Sequence, residues 1–271
     1  MKSSPLLAIS QRLNNLDASK QTAFRKKLAE QGINSWQLPI VATTQDQYPL
    51  SLAQQRFLVA EKMTERSIYN LCSVIKFDLS LNTQSLESAV NQLINRHQVM
   101  KTCFHQNAQG QWHTSDVKHV QPVTLVPEKL NFLDEQVWLH EEFAKEQSFK
   151  FDLEKDQPFR IHVFKAEAHY YLFVTIHHVA FDAWSFEVFN QELALLYLAI
   201  SKGEEIALPS LPIQYKDYAQ WQSQWLNSED FAKQQEYWSQ QLLGLPEPLD
   251  LPFDFKRSKH RNFEGKVETA D

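Results

Sequence analysis

Residues 171–185 read Tyr171-Leu172-Phe173-Val174-Thr175-Ile176-His177-His178-Val179-Ala180-Phe181-Asp182-Ala183-Trp184-Ser185. The first six are apolar, β-branched or aromatic and too few for a helix, so they predict a buried strand. From Phe186 to Ile200 the spacing of Phe189, Leu193, Leu196 and Ile200 predicts a helix with one apolar face. Two histidines and a carboxylate therefore stand where a strand runs out and a helix begins, a place where folds commonly display catalytic groups. Side chains alternate along a strand, so His177 and His178 are expected to point to opposite faces and to do different jobs. Asp182 is free to orient an imidazole or to pair with an arginine. The plainer alternative is a pair of satisfied histidines closing a core strand.

Composition frames this junction. The chain has 271 residues, 43% hydrophobic and 22% charged, enough for a substantial core in one large domain or two small ones. A net charge of -6 argues against a nucleic-acid surface. No apolar run reaches the ~18 residues of a membrane span, and the N-terminus lacks a secretory pattern. Cys72 and Cys103 make neither a metal spacing nor a disulfide framework, so a reducing, cytoplasmic setting is expected. Both are read as small buried apolar residues. Of the five glycines, Gly32, Gly203 and Gly244 follow helix-like runs as C-caps do, and none belongs to a phosphate-cradling loop. His177 and His178, pointing apart, are unsuited to share one metal ion, and no cluster of Cys or His supports them.

The pattern predicts an α/β (α+β) chain. Pro5 to Asn15 and Asp17 to Gln31 predict two helices, with a linker to Pro49. Residues 1–32 carry six basic and two acidic side chains, including Arg25, Lys26 and Lys27, within an acidic whole. Beyond them a helix is expected over Leu50–Met63, a strand over Tyr69–Leu79, a helix over Leu86–Asn95 and a hairpin around Gly110. A helix over Leu133–Ser148 and strands over Phe159–Lys165 and Tyr170–Ile176 follow. The chain beyond Ser185 is expected to be mostly helical to Leu243.

Four separated segments resemble, in order, the motifs of the condensation domain of non-ribosomal peptide synthetases. They are Ser51-Leu52-Ala53-Gln54-Gln55-Arg56, Arg96-His97-Gln98-Val99-Met100-Lys101-Thr102-Cys103-Phe104, His177 to Ser185, and Tyr215-Lys216-Asp217-Tyr218-Ala219-Gln220-Trp221-Gln222. The resemblance spans roughly residues 46–255 and implies a chloramphenicol acetyltransferase-like lobe, a mixed β-sheet flanked by helices. Residues 1–45 then form a helical preface and linker, and 46–271 the N-terminal lobe.

That resemblance implies amide formation between an upstream acyl carrier-protein thioester and a downstream aminoacyl carrier-protein thioester. The substrates would arrive on the phosphopantetheine arms of the two carrier proteins, with no cofactor bound by this chain. His178 would be the catalytic residue, either a base toward the amine or a hydrogen-bond positioner, and the sequence leaves both open. The resemblance also implies support for the site from His177, Asp182, Arg96, Ala183, Trp184 and Ser185, with Asp182 pairing with Arg96. Trp184, Tyr215, Tyr218 and Trp221 are read as packing, Ser51, Gln54 and Arg56 as bonding element ends around the cleft, and Asp217 as a motif residue.

The chain departs from the family pattern in three ways. Ala183 stands where the family has glycine, which would strain a junction that needs glycine. Lys101 replaces an arginine and loses bidentate pairing. The chain stops at Asp271, without the family's second lobe, so this N-terminal lobe is expected to be inactive alone and to expose an apolar docking face. Three alternatives stay beside this reading. One is a docking module that uses the N-terminal helices, with Arg25, Lys26 and Lys27, to bind a preceding synthetase subunit. The others are a free-standing acyltransferase and an epimerisation domain of the same fold.

Overall fold

In the computed structural model the described residues are 5–45, 47–63, 67–107, 109–116, 123, 125, 128–129, 134–246 and 252. They divide into a unit over Met1–Leu226 and a smaller one over Asn227–Asp271. The first unit is built on the strand that residues 171–176 predict. That strand, β7 (His169–His177), is buried along its whole length and sits inside a four-stranded sheet. The order is β2 (Asn70–Asp78), β7, β6 (Phe159–Lys165), β5 (Glu128–Lys129), with β2 and β6 antiparallel to β7 and β5 parallel to β6.

The alternation of β7 fills two cores. Leu172, Val174 and Ile176 pack with Leu86, Val90 and Leu93 of α4 (Thr83–Arg96) and with Phe189, Leu193 and Leu196 of α6 (Ala183–Ser201). Tyr171 and Phe173 face the other way, toward Trp138, Leu139 and Phe143 of α5 (Glu135–Ser148). Cys72 and Val74 of β2 join this second core, and Leu71, Ile75 and Phe77 the first. A strand covered on both faces needs apolar side chains at nearly every position, which is why residues 171–176 read as a continuous run.

A second, three-stranded sheet pairs β1 (Gln47–Pro49) and β3 (Thr102–Gln106) on either side of β4 (Trp112–Asp116), all antiparallel. The turn between β3 and β4 carries Gly110 at φ +78°, a conformation that glycine adopts without cost. Beside it runs α3 (Leu52–Lys62), and Leu50, Leu58, Phe104, Phe151, Leu153 and Val179 form a core that includes the loop leaving β7.

The N-terminal helices α1 (Pro5–Asn14) and α2 (Ala18–Glu30) close on Leu13, Leu28 and Leu38. They are fastened to α7 (Tyr215–Leu226) through Arg25, whose Nη2 donates to Gln224 at 3.4 Å, and the segment that follows them is held by Thr43 N–H to Asp217 at 2.7 Å. The segment expected to be a linker holds a 3-10 turn (Ser35–Gln37) and β1. In the second unit, α8 (Glu229–Gln241) is capped by Ser228 and followed by Gly244 at φ +74°. Gly32 and Gly203 likewise lie just past helices with positive φ, whereas Gly265 lies outside the described residues. Exposed apolar side chains include Leu52 and Val59 of α3, Met63 just past it, Trp184, Leu195 and Leu198 of α6, and Tyr237 and Trp238 of α8.

Candidate active site

β7 ends at His177, and His178 is the first residue beyond it. The His178 backbone N–H donates to the Tyr69 carbonyl at 2.8 Å, which pins the start of the loop to the chain entering β2. Its Nδ1 lies 2.6 Å from the Phe181 carbonyl. A carbonyl only accepts, so Nδ1 carries a proton, and in the neutral ring the lone pair falls on Nε2. Among the described residues no group hydrogen-bonds Nε2. The ring is partly exposed and stacks on Phe57 of α3, with centroids 4.5 Å apart and planes 24° apart.

His177 is 0% exposed and lives differently. Its Nδ1 accepts from the Val179 N–H at 3.1 Å, so its proton sits on Nε2, 2.9 Å from Glu61 Oε2. That approach is close, but its angle is too poor for a hydrogen bond, so we read it as an electrostatic contact. Phe151 packs edge-on against the ring at 6.2 Å. The two histidines thus sit in different surroundings, but they are not parted by the sheet. Alternation stops where β7 stops, and both rings meet α3 one turn apart, at Phe57 and at Glu61.

Asp182 caps α6. Its Oδ1 accepts from Ser185 N–H at 2.8 Å and from Ser185 Oγ–H at 2.6 Å. These bonds, first the side-chain one, hold its carboxyl below the usual carboxylate range, and His178 nearby lowers it further. The expected pair with Arg96 does not form. Arg96 Nε instead reaches both oxygens of Glu192 on α6, at 3.1 and 3.2 Å, and His97 Nε2 donates to the same carboxylate at 2.6 Å. The physical reason is position: Arg96 ends α4, which packs along α6 at Glu192, whereas Asp182 is spent on the helix N-terminus, where four N–H groups lack partners.

Ser51 and Gln54 form a capping box at the start of α3, Gln54 N–H to Ser51 Oγ at 3.2 Å and Ser51 N–H to Gln54 Oε1 at 3.1 Å. The same two side chains leave the helix. Gln54 Nε2 donates to the Val179 carbonyl at 3.4 Å, and Ser51 Oγ lies 2.8 Å from the Tyr215 hydroxyl. Burial raises the Tyr215 phenol above its usual pKa. Gln222 accepts from Leu52 N–H at 2.8 Å and donates to Tyr218 OH at 2.8 Å. Asp217, 3% exposed, accepts from Thr43 N–H and from Gln214 N–H, both at 2.7 Å. Gln214 in turn bridges Arg96 O and Gln98 N–H at 3.0 Å each. The four motif segments are therefore one hydrogen-bonded frame around the loop that carries His178.

Several sequence expectations are corrected. Trp184 is 73% exposed rather than packed, because α6 turns it outward. Arg56 is exposed and among the described residues bonds no element end; its guanidinium lies 5.2 Å from the Phe57 ring. Ala183 takes the first position of α6, a helical conformation that needs no glycine, so the expected strain is absent. Tyr218 and Trp221 do pack, stacking at 5.9 Å. Lys101 donates to the Asn95 carbonyl at 3.2 Å. Arg25 is engaged inside the fold, over the Trp36 ring at 3.6 Å and bonded to Ser35 and Gln224, whereas Lys26 and Lys27 are exposed. Phe57, Glu61, Glu192 and Gln214 escaped sequence reading because each acts through a partner far along the chain. Among the described residues no group of three or more His, Cys, Asp or Glu is placed to hold a metal ion, and no helix is long and apolar enough to cross a membrane.

The doubly covered strand, the histidine loop it carries and the helices that frame it are those of a mixed α/β, chloramphenicol acetyltransferase-like fold. The chain belongs to the condensation-domain family, whose profile ("Condensation domain") matches residues 44–271. It is 35% identical over 222 residues to malpinin synthetase of Mortierella alpina, covering 80% of this chain and 3% of that protein. It is 35% identical over 232 residues to surfactin synthase subunit 2 of Bacillus subtilis (strain 168), covering 83% of this chain and 6% of that one. Among solved structures it is similar to the X-domain in the complex of the X-domain and OxyB from teicoplanin biosynthesis, with TM-score 0.71, 28% identity and coverage of 81% and 49%. The first condensation domain of the CDA synthetase shares the fold, with TM-score 0.64, 16% identity and coverage of 78% and 53%. The chain thus spans about half the length of these structures and a few per cent of the synthetases.

Proposed function

We propose that this chain contributes the histidine-bearing lobe of a site that forms an amide between two carrier-protein-bound substrates. The amine of a downstream aminoacyl group attacks the carbonyl of an upstream acyl thioester. The C–N bond forms, the C–S bond breaks, and the proton lost by the nitrogen passes by way of His178 Nε2 to the departing thiolate. The observation that carries the reading is the fixed tautomer of His178: Nδ1–H is held by the Phe181 carbonyl, so Nε2 is left as the acceptor. Asp182 supports this through the helix cap rather than through proton transfer. The substrates would ride on phosphopantetheine arms in the cytoplasm. Mixing the full-length protein with the two loaded carrier proteins and finding no amide on the downstream carrier by mass spectrometry would overturn the reading.

A second reading rests on one observation. The similarity to the X-domain chain, at 28% identity, exceeds the 16% shared with the CDA condensation domain, and the X-domain was solved in complex with OxyB. A lobe of this kind would then serve to hold a partner. In that case full-length protein lacking His178 would bind its partners as well as the wild type, and neither would make amide. Binding of a preceding synthetase subunit by the N-terminal helices would fall on exposed Lys26 and Lys27, with Arg25 committed to Trp36 and Gln224.

A further inference from the structure

His178 can present Nε2 in a fixed direction only if its ring cannot turn. One bond, Nδ1–H to the Phe181 carbonyl at 2.6 Å, selects the tautomer. It does not by itself prevent the ring from rocking about that bond. The second constraint comes from α3. Phe57 lies against the imidazole with centroids 4.5 Å apart and planes 24° apart, a stacked arrangement. Phe57 is itself braced, edge-on by Tyr69 at 5.1 Å, and Tyr69 also accepts the His178 backbone N–H. The helix that carries it is locked by the Ser51–Gln54 capping box and tied to the loop of His178 through Gln54 and Val179. We infer that Phe57 is a positioning residue for the proposed amide-forming reaction, holding the plane of the His178 imidazole so that Nε2 points at the reacting nitrogen. A flat ring is required for this, and a flexible apolar side chain of similar size fills the space without defining a plane.

The inference rests on the catalytic reading of His178, and its test separates the two. In the full-length protein with both carrier proteins loaded, Phe57→Met is expected to lower kcat about 10-fold, the scale of a small misplacement of a reacting group, with KM within about twofold. Phe57→Tyr, which keeps the ring, is expected to retain at least about half of the wild-type kcat on the same reasoning. The crystal structure of the Phe57→Met protein should show the His178 ring rotated from its wild-type plane or split between rotamers. An unchanged ring in that structure, a Phe57→Met kcat equal to wild type, or a loss that Phe57→Tyr shares would each overturn the inference. If instead His178→Ala forms amide as fast as wild type, the catalytic reading fails, and the ring orientation in Phe57→Met still decides whether Phe57 positions the imidazole.

Discussion

Replacing Asp182 distinguishes a helix cap from a buried ion pair by the size of the effect. Asp182→Ala removes an acceptor that holds Ser185 N–H and Ser185 Oγ–H. Loss of an Asp N-cap costs about 1 kcal/mol, within a range of about 0.5–2. The negative charge at the N-terminus of α6 adds about 0.3–1 kcal/mol. The expected loss is therefore about 1–2 kcal/mol. Asp182→Asn keeps the acceptor and loses only the charge, so it should cost less than about 1 kcal/mol. An Asp182–Arg96 pair in the interior would instead cost about 3–5 kcal/mol when one partner is removed. The assay is urea denaturation of the single variants and of double-mutant cycles. Asp182→Ala with Arg96→Ala should be additive within about 0.5 kcal/mol, and Arg96→Ala with Glu192→Gln should show a coupling above about 1 kcal/mol. A coupling of that size between Asp182 and Arg96 would refute the assignment of the cap.

The other predictions follow from the same frame. Because the bonds from Ser185 depress the Asp182 carboxyl in the folded state, its stabilisation is complete above the unfolded value near 4 and is lost as pH falls through the lower folded value. The stability gap between wild type and Asp182→Ala should thus be full above about pH 5 and close below about pH 4 in pH-dependent thermal unfolding. Gln54→Ala removes half of the capping box and the bond to Val179 O, and should cost about 1–2 kcal/mol by urea titration while lowering kcat. His177→Ala leaves a cavity and an unpartnered Val179 N–H in a fully buried site, and should cost about 2–4 kcal/mol by the same titration. Arg25→Ala should lower stability by about 1–2 kcal/mol, and Lys26→Glu with Lys27→Glu should change it by less than about 0.5, as differential scanning calorimetry would show.

What the sequence made legible followed from local periodicity and from ordered motifs. The continuous apolar run 171–176 announced a strand covered on both faces, and Phe189, Leu193 and Leu196 announced the helix that covers one of them. Positive φ at Gly32 and Gly203 fits their reading as helix stops. The junction that carries His178 was visible for the same reason, since a continuous apolar run gives way to a 3.6-residue period within a few residues. The partners were not legible. Nothing local distinguishes Arg96 bonded to Glu192 from Arg96 bonded to Asp182, because the choice depends on how α4 lies along α6. Phe57 stands one residue past the first motif, yet the exposed Arg56 was read as architectural and the phenylalanine that stacks on His178 was passed over. Trp184 reads as core by its chemistry and is turned outward by its place on the helix.

His178 Nε2 is the centre of the proposed reaction, and the most direct measurement is the single-turnover rate of amide formation by the full-length protein with both carrier proteins loaded, wild type against His178→Ala. General-base or positioning catalysis predicts a fall of about 100-fold or more in the variant. A His178→Ala rate within a few-fold of wild type, with product still formed on the downstream carrier, would contradict it.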